Sequence, residues 1–220
     1  KLISKKTGHL ITGQMISIND LTSEFKRIKN KKVLVIGETI FDKYKHVRIK
    51  GLTSKNTVIS GEYIKSKIYY GGALKVFLNI SNFVNNCKFL TIFKNDNSIY
   101  SRYLKKNNKI ITVNNKDFIN IEKTKYISEN KIDKQNNEIA KYFAVSQWVI
   151  LKAIQYYLKN NLSKFDLVVV ADYGHGFIDY EISKYIQKYS RNLSLNCQTN
   201  SMNFGFNLIT DKYQKCNNFV

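Results

Sequence analysis

The chain has 220 residues, enough for one large α/β domain or two small ones, and its 43% apolar content supports a buried core rather than a disordered tail. No apolar run approaches the roughly 18 residues that a membrane-spanning helix needs. The net charge of +20 invites a polyanionic partner, yet only four of the 36 basic residues are Arg (Arg27, Arg48, Arg102, Arg191) and the lysines are scattered, so nucleic acid is not the expected partner. Lys, Asn, Ile, Tyr and Phe are abundant while Pro is absent, and A/T-rich codons account for the charge without a ligand. Cys87, Cys197 and Cys216 are widely spaced and make neither a CxxC pattern nor a disulfide framework, which fits three thiols in a reducing cytoplasm. His9, His46 and His175 form no metal-ligand cluster, and no metal ligand is expected in the chain.

Residues 1–16 are polar and read as a linker. Ile18, Leu21, Phe25 and Ile28 then recur at helical spacing, with Ser17 and Asp20 as a capping pair and a basic stretch at 26–32 to suit the negative helix end. The short apolar run 31–37, closed by Gly37, predicts a buried parallel strand. Residues 44–70 are rich in Val, Ile, Tyr and Thr, with turn residues at Gly51, Ser54 and Gly61, and predict two or three short antiparallel strands. An apolar helix follows Gly71 and Gly72, then a buried strand at 89–93, a short helix at 98–106 and a strand at 109–113. A polar stretch, 115–140, contains a strand near 125–128. The periodicity next predicts a helix over 148–158, the clearest central strand at 166–171, a helix over 182–189 and a strand at 193–196. Such alternation predicts a mostly parallel sheet with helices on both faces, with the early antiparallel strands outside it as a flap.

Three constellations stand at the carboxyl ends of predicted strands, where open α/β sheets bind ligands. In GETIFD (37–42), Asp42 can accept hydrogen bonds from sugar hydroxyls, or simply cap a turn. In YGGA (70–73), Gly71 and Gly72 let backbone approach a ligand at a helix start, or make a tight turn. Neither GxGxxG nor GxxxxGK[ST] occurs. In ADYGHG (171–176), Asp172 and His175 can reach a phosphate or hydroxyl, and a binding role outranks general-base work for His175.

In order and spacing these segments resemble the PfkB carbohydrate kinases, and among them the heptose-7-phosphate kinase half of ADP-heptose synthases. The resemblance runs through VLVIGETIFDKY (33–44), GLTSK (51–55), YGGAL (70–74), DLVVVADYGHG (166–176), NCQTN (196–200) and GFNLIT (205–210). It implies a ribokinase-like α/β fold with a small β-lid at roughly 44–70, which closes over the sugar. Residues 1–30 would be a linker and helix after an upstream nucleotidyltransferase-like domain, and 31–220 a partial kinase domain. The resemblance further implies that Asp42 binds sugar hydroxyls, that Lys55 and the Gly71–Gly72 turn line the sugar pocket, and that Asp172 lies near the phosphoryl-transfer region with His175. ATP and Mg²⁺ come with it as donor and cofactor, a sugar or sugar phosphate as acceptor, and a homodimer through the lid as partner. Lys75 stands where many members carry Asn, and Asn56 where relatives carry an acidic residue.

The family's NxxE motif, which organises magnesium, and its GxGD motif, with the catalytic base, do not occur in these residues. Both are expected beyond Val220, so the chain reads as a truncated kinase, inactive alone, with no catalytic base of its own. The first rival reading is a non-catalytic sugar-binding module derived from the same fold, and the second, ranked below it, a nucleic-acid-binding protein that exploits the charge.

Overall fold

Val33, Leu34, Val35 and Ile36 are buried without a polar break, which only a strand covered on both faces allows. In the computed structural model they form the middle of a six-stranded sheet. The structure describes residues 2–3, 10–11, 17–54, 58–96, 98–115, 118, 120–128, 148–198 and 212–219. The elements begin with β1 (Leu2–Ile3), β2 (Leu10–Ile11), α1 (Ile18–Lys29), β3 (Lys32–Gly37), β4 (Thr39–Leu52), β5 (Ile59–Gly71) and α2 (Gly72–Ile80). They continue with β6 (Asn86–Phe93), α3 (Ile99–Lys106), β7 (Ile110–Asn114), β8 (Ile121–Ser128) and α4 (Trp148–Asn161). The last are β9 (Leu167–Asp172), α5 (Tyr180–Tyr189), β10 (Leu193–Cys197) and β11 (Asn218–Phe219).

The large sheet has the order β11-β10-β9-β3-β6-β7, and every neighbouring pair in it is parallel. Alternation along β3 sends Val33 and Val35 to one face, where Leu74 and Phe77 of α2 and Leu104 of α3 cover them. Leu34 and Ile36 go to the other face, against Ile154 and Leu158 of α4 and Ile182 and Ile186 of α5. The expected helices on both faces are therefore present. A local clasp sets the register of β3 on β9: the Asp166 carboxylate accepts from Lys32 N at 2.7 Å, and Asp166 N donates to Lys32 O at 2.8 Å.

Strand order makes β3 special. The chain leaves it toward β6 and β7 on one side, then returns to lay β9, β10 and β11 on the other. The connections after β3 and β9 thus diverge to opposite sides and leave a crevice at the carboxyl ends of the two strands.

The lid departs from expectation in extent and partners. Instead of short strands within 44–70, β4 and β5 form one long antiparallel hairpin from Thr39 to Gly71. Gly51 was expected in a turn. It sits at a register shift within β4, and Gly61 pairs inside β5, so both are absorbed by a twisted, bulged ladder. Beyond Leu52 the hairpin is closed by the Thr53 N–H, which donates to Val58 O at 2.9 Å. The strand expected near 125–128 is longer, Ile121–Ser128, and joins the lid parallel to β4.

Within the stretch expected to be linker, β1 and β2 pair antiparallel. Helix α1 carries the capping box read from Ser17 and Asp20, but none of its residues is buried. Its anchor is Phe25, which stacks on Phe83 with ring centroids 5.6 Å apart.

Candidate functional site

The crevice between the ends of β3 and β9 collects most of the residues singled out from sequence. Asp42 lies on β4 opposite Tyr69 of the hairpin, two positions from the Ile40–Gly71 pair. A Cβ added to Gly71 would land on the Asp42 carboxylate, so the acid stands directly over a bare backbone carbon. Gly72 follows with φ +58°, and a Cβ there would meet Glu38 O at 2.6 Å and Ile40 Cγ1 at 2.8 Å. Two glycines are needed for two reasons: the first makes room for a side chain, the second for the backbone of β3. The start of α2 is pinned to the same place, because Ala73 N donates to Glu38 O at 2.9 Å.

Asp172, at the end of β9, is buried and held on all sides. Its Oδ1 accepts from Gly174 N at 2.9 Å. Its Oδ2 accepts from Lys212 Nζ at 3.0 Å and from the Tyr213 hydroxyl at 3.1 Å. Lys212 also donates to Ile178 O at 2.7 Å, which ties the turn before α5 to the same knot. Burial and the Asp172 carboxylate push the neighbouring Cys197 thiol up to about 12, so it stays protonated. His175 is driven the other way: burial, then Lys123, lower it from 6.5 to about 4, and its imidazole is neutral at physiological pH.

Sequence reasoning missed four members of this group. Glu38 lies inside the GETIFD stretch and is fully buried, yet only Asp42 of that stretch drew attention. Its Oε2 accepts from Tyr173 N at 3.1 Å and its Oε1 from His175 N at 3.3 Å. Burial, aided by the Asp172 charge, raises Glu38 from 4.5 to about 7. Lys123 faces Asp42 across the β4–β8 register and reaches the field of His175. Lys212 and Tyr213 lie some forty residues beyond Asp172 in a stretch with no motif, and no sequence signal pointed to them. Lys55 lies outside the described residues.

No group of three or more His, Cys, Asp or Glu among the described residues could hold a metal. Both Asp172 oxygens already accept from an amide, an ammonium and a hydroxyl. These residues do not fit a bound magnesium.

A separate hollow of about 410 Å³ lies between β5 and α3, lined by Ile68, Tyr70, Tyr100 and Tyr103 among others. Tyr70 alternates with Tyr69, the partner of Asp42, so the hollow opens on the opposite face of the lid. Tyr100 in its wall stacks on Phe41 with ring centroids 4.0 Å apart. Among the described residues, no helix is long and apolar enough to cross a membrane.

No protein-family model matches the sequence, and no curated protein matches it closely enough to count as a relative. Solved structures do match. A candidate phosphofructokinase from Staphylococcus aureus superposes with TM-score 0.53 at 12% identity, over 74% of this chain and 52% of that one. The tetrameric inhibited form of phosphofructokinase-2 from Escherichia coli gives 0.50 at 11% identity, over 74% of this chain and 54% of that one. Ribokinase from Thermotoga maritima gives 0.44 at 16%, over 74% of this chain and 59% of that one, too loose to carry an argument. The chain spans about half the length of the two phosphofructokinases. At such identities the likeness establishes the fold alone, an α/β fold shared with these two phosphofructokinases.

Proposed function

We propose that this stretch forms the acceptor-binding part of a carbohydrate kinase that moves the γ-phosphoryl of ATP to a hydroxyl of a sugar or sugar phosphate. The observation that carries the reading is the Asp42 carboxylate poised over Gly71, at the crevice where β3 and β9 part, beneath a lid sheet. In this reading Asp42 accepts hydrogen bonds from sugar hydroxyls and the Gly71–Gly72 backbone lets the ring come close. Lys55 enters this reading through the sequence resemblance alone. Asp172 and His175 border the phosphoryl-transfer region, with Asp172 serving as the knot that fixes the loop after β9.

ATP is the phosphoryl donor the reading implies. Magnesium would be held by groups other than the described rim. The NxxE and GxGD patterns are absent from the 220 residues, so activity is proposed for the polypeptide that carries this stretch, and the isolated stretch is expected to bind without catalysing. The sequence resemblance makes a heptose phosphate, as used in nucleotide-sugar synthesis beside a nucleotidyltransferase, the first acceptor to try. A homodimer through the lid fits the exposed apolar residues of its outer half, among them Leu52, Ile59 and Tyr63.

The test is ATP turnover by the whole polypeptide with heptose phosphates and common hexoses, set beside sugar binding by this chain. Phosphorylation of at least one sugar is expected, and Asp42→Asn should weaken binding about tenfold or more, the cost of a charged hydrogen-bond acceptor. A folded protein that turns over ATP with none of them defeats the kinase. Sugar binding without turnover would favour the second reading, a sugar-binding module, which the full occupation of Asp172 by internal donors supports.

A further inference from the structure

Glu38 is a fully buried acid placed where no sugar can touch it, and the proposed chemistry gives it no task. Its surroundings are nonetheless specific. The residue follows the last position of β3, and its two oxygens take one amide each from Tyr173 and His175, across the seam between β3 and β9. Those amides belong to the loop that carries Asp172 at one end and His175 at the other. The backbone of Glu38 meanwhile holds Ala73 and so the turn under Asp42. One residue therefore ties both halves of the rim together.

We propose that Glu38 is the positioning residue of this site: its carboxylate sets the course of the 173–176 loop, and so the placement of His175, in full only while it is ionised. The proposal rests on the kinase reading for its consequence, but the anchoring stands on geometry. A carboxylate offers an acceptor oxygen to each amide, whereas a carboxylic acid has one oxygen converted to a hydroxyl, which is a poor acceptor. The titratable groups facing Glu38 are Asp172 and Tyr173 from the end of β9, Cys197 from β10, and Lys212 and Tyr213 from the C-terminal stretch. Asp42 acts on Tyr173 from β4, and Lys123 on His175 from β8. Asp172 opposes ionisation of Glu38 and Lys212 favours it, and burial places its midpoint at about 7, so the anchor changes state near neutrality.

The test is the amide resonances of Tyr173 and His175 in the ¹⁵N-labelled chain, followed from pH 5.5 to 8.5, with hydrogen exchange measured alongside. Both amides should move together with a midpoint near 7, and should exchange about tenfold faster relative to intrinsic rates at the acid end. Glu38→Gln should abolish the titration of both. Glu38→Asp should retain a titration, and it supplies the comparison if the Gln variant does not fold. Glu62→Gln, in an exposed lid pair, should leave both amides unchanged. Amides of residues 173 and 175 that stay fixed across this range in the native chain, or that titrate equally in Glu38→Gln, overturn the proposal. This readout involves no sugar and no ATP, so failure of the kinase reading leaves it standing, and the reverse also holds.

Discussion

A single added methyl group separates the proposed sugar-binding role of Asp42 from any role in the fold. Gly71 has φ −124°, a conformation open to any residue, so Gly71→Ala costs no backbone strain. Its new Cβ would nevertheless occupy the place of the Asp42 carboxylate. The short aspartate must swing away, and the acceptor is lost although its residue remains. Gly71→Ala should therefore reproduce the binding defect of Asp42→Asn while the Tm stays close to that of the native chain. Calorimetric titration with the sugar that proves to be the substrate, run beside a thermal scan, checks both halves. Undiminished affinity in Gly71→Ala would remove Asp42 from the sugar site. At this scale the sequence was half legible. An acid and a glycine pair at strand ends could be picked out because ligand sites of open sheets form there. Glu38 was hidden because burial, not residue type, gives it its importance, and Lys212 because its partner is forty positions away.

Among elements, the start of α2 is tightly constrained. Gly72→Ala would place a side chain at φ +58° and 2.6 Å from a backbone oxygen that cannot yield without moving β3. The strain alone costs about 1–3 kcal/mol, and in a domain of this size each kcal/mol lowers Tm by about 2–4 °C. Gly72→Ala should thus lose several degrees where Gly71→Ala loses almost none, a contrast between adjacent glycines that a thermal melt resolves. In the middle of the sheet, Leu34→Ala should cost about 2–5 kcal/mol, because Leu34 is fully buried between β6 and β9 and the facing helices cannot collapse into the gap. Five of the six strands of the large sheet were readable because buried parallel strands are plain apolar runs, whereas the two-residue, exposed β11 offered no such run. The lid was not, since Gly51 and Gly61 announce turns and are instead carried inside a bulged hairpin. Nor does the composition of β8 say that its partner is β4. That choice is tertiary, and among its contacts are Tyr100, whose hydroxyl donates to Glu122 at 3.0 Å while its ring stacks on Phe41, and Lys43, which pairs with Glu122 at 3.4 Å.

The whole molecule should have an unusually flat stability profile in mild acid, because a buried and a half-buried group at one crevice titrate in opposite senses. Glu38 is raised from 4.5 to about 7, so between those values the folded chain holds a proton that the unfolded chain has released, and stability falls as pH rises. His175 is lowered from 6.5 to about 4, so between those values the unfolded chain holds the extra proton, and stability rises with pH. From 4.5 to 6.5 the two slopes have opposite sign and nearly cancel. Asp96 and Glu62, both lowered, act below that window, and the raised tyrosines and cysteines act far above it. Removing either partner uncovers the other. In Glu38→Gln the folding equilibrium should strengthen by up to about tenfold per pH unit from 4.5 to 6.5, the slope of one net proton. In His175→Gln it should weaken with pH over the same range and level off near 7. Urea unfolding at half-unit pH steps measures all three curves. Parallel profiles for the native chain and Glu38→Gln would mean that the crevice does not hold these two groups in the states assigned to them, since a merely destabilising substitution shifts such a curve without tilting it.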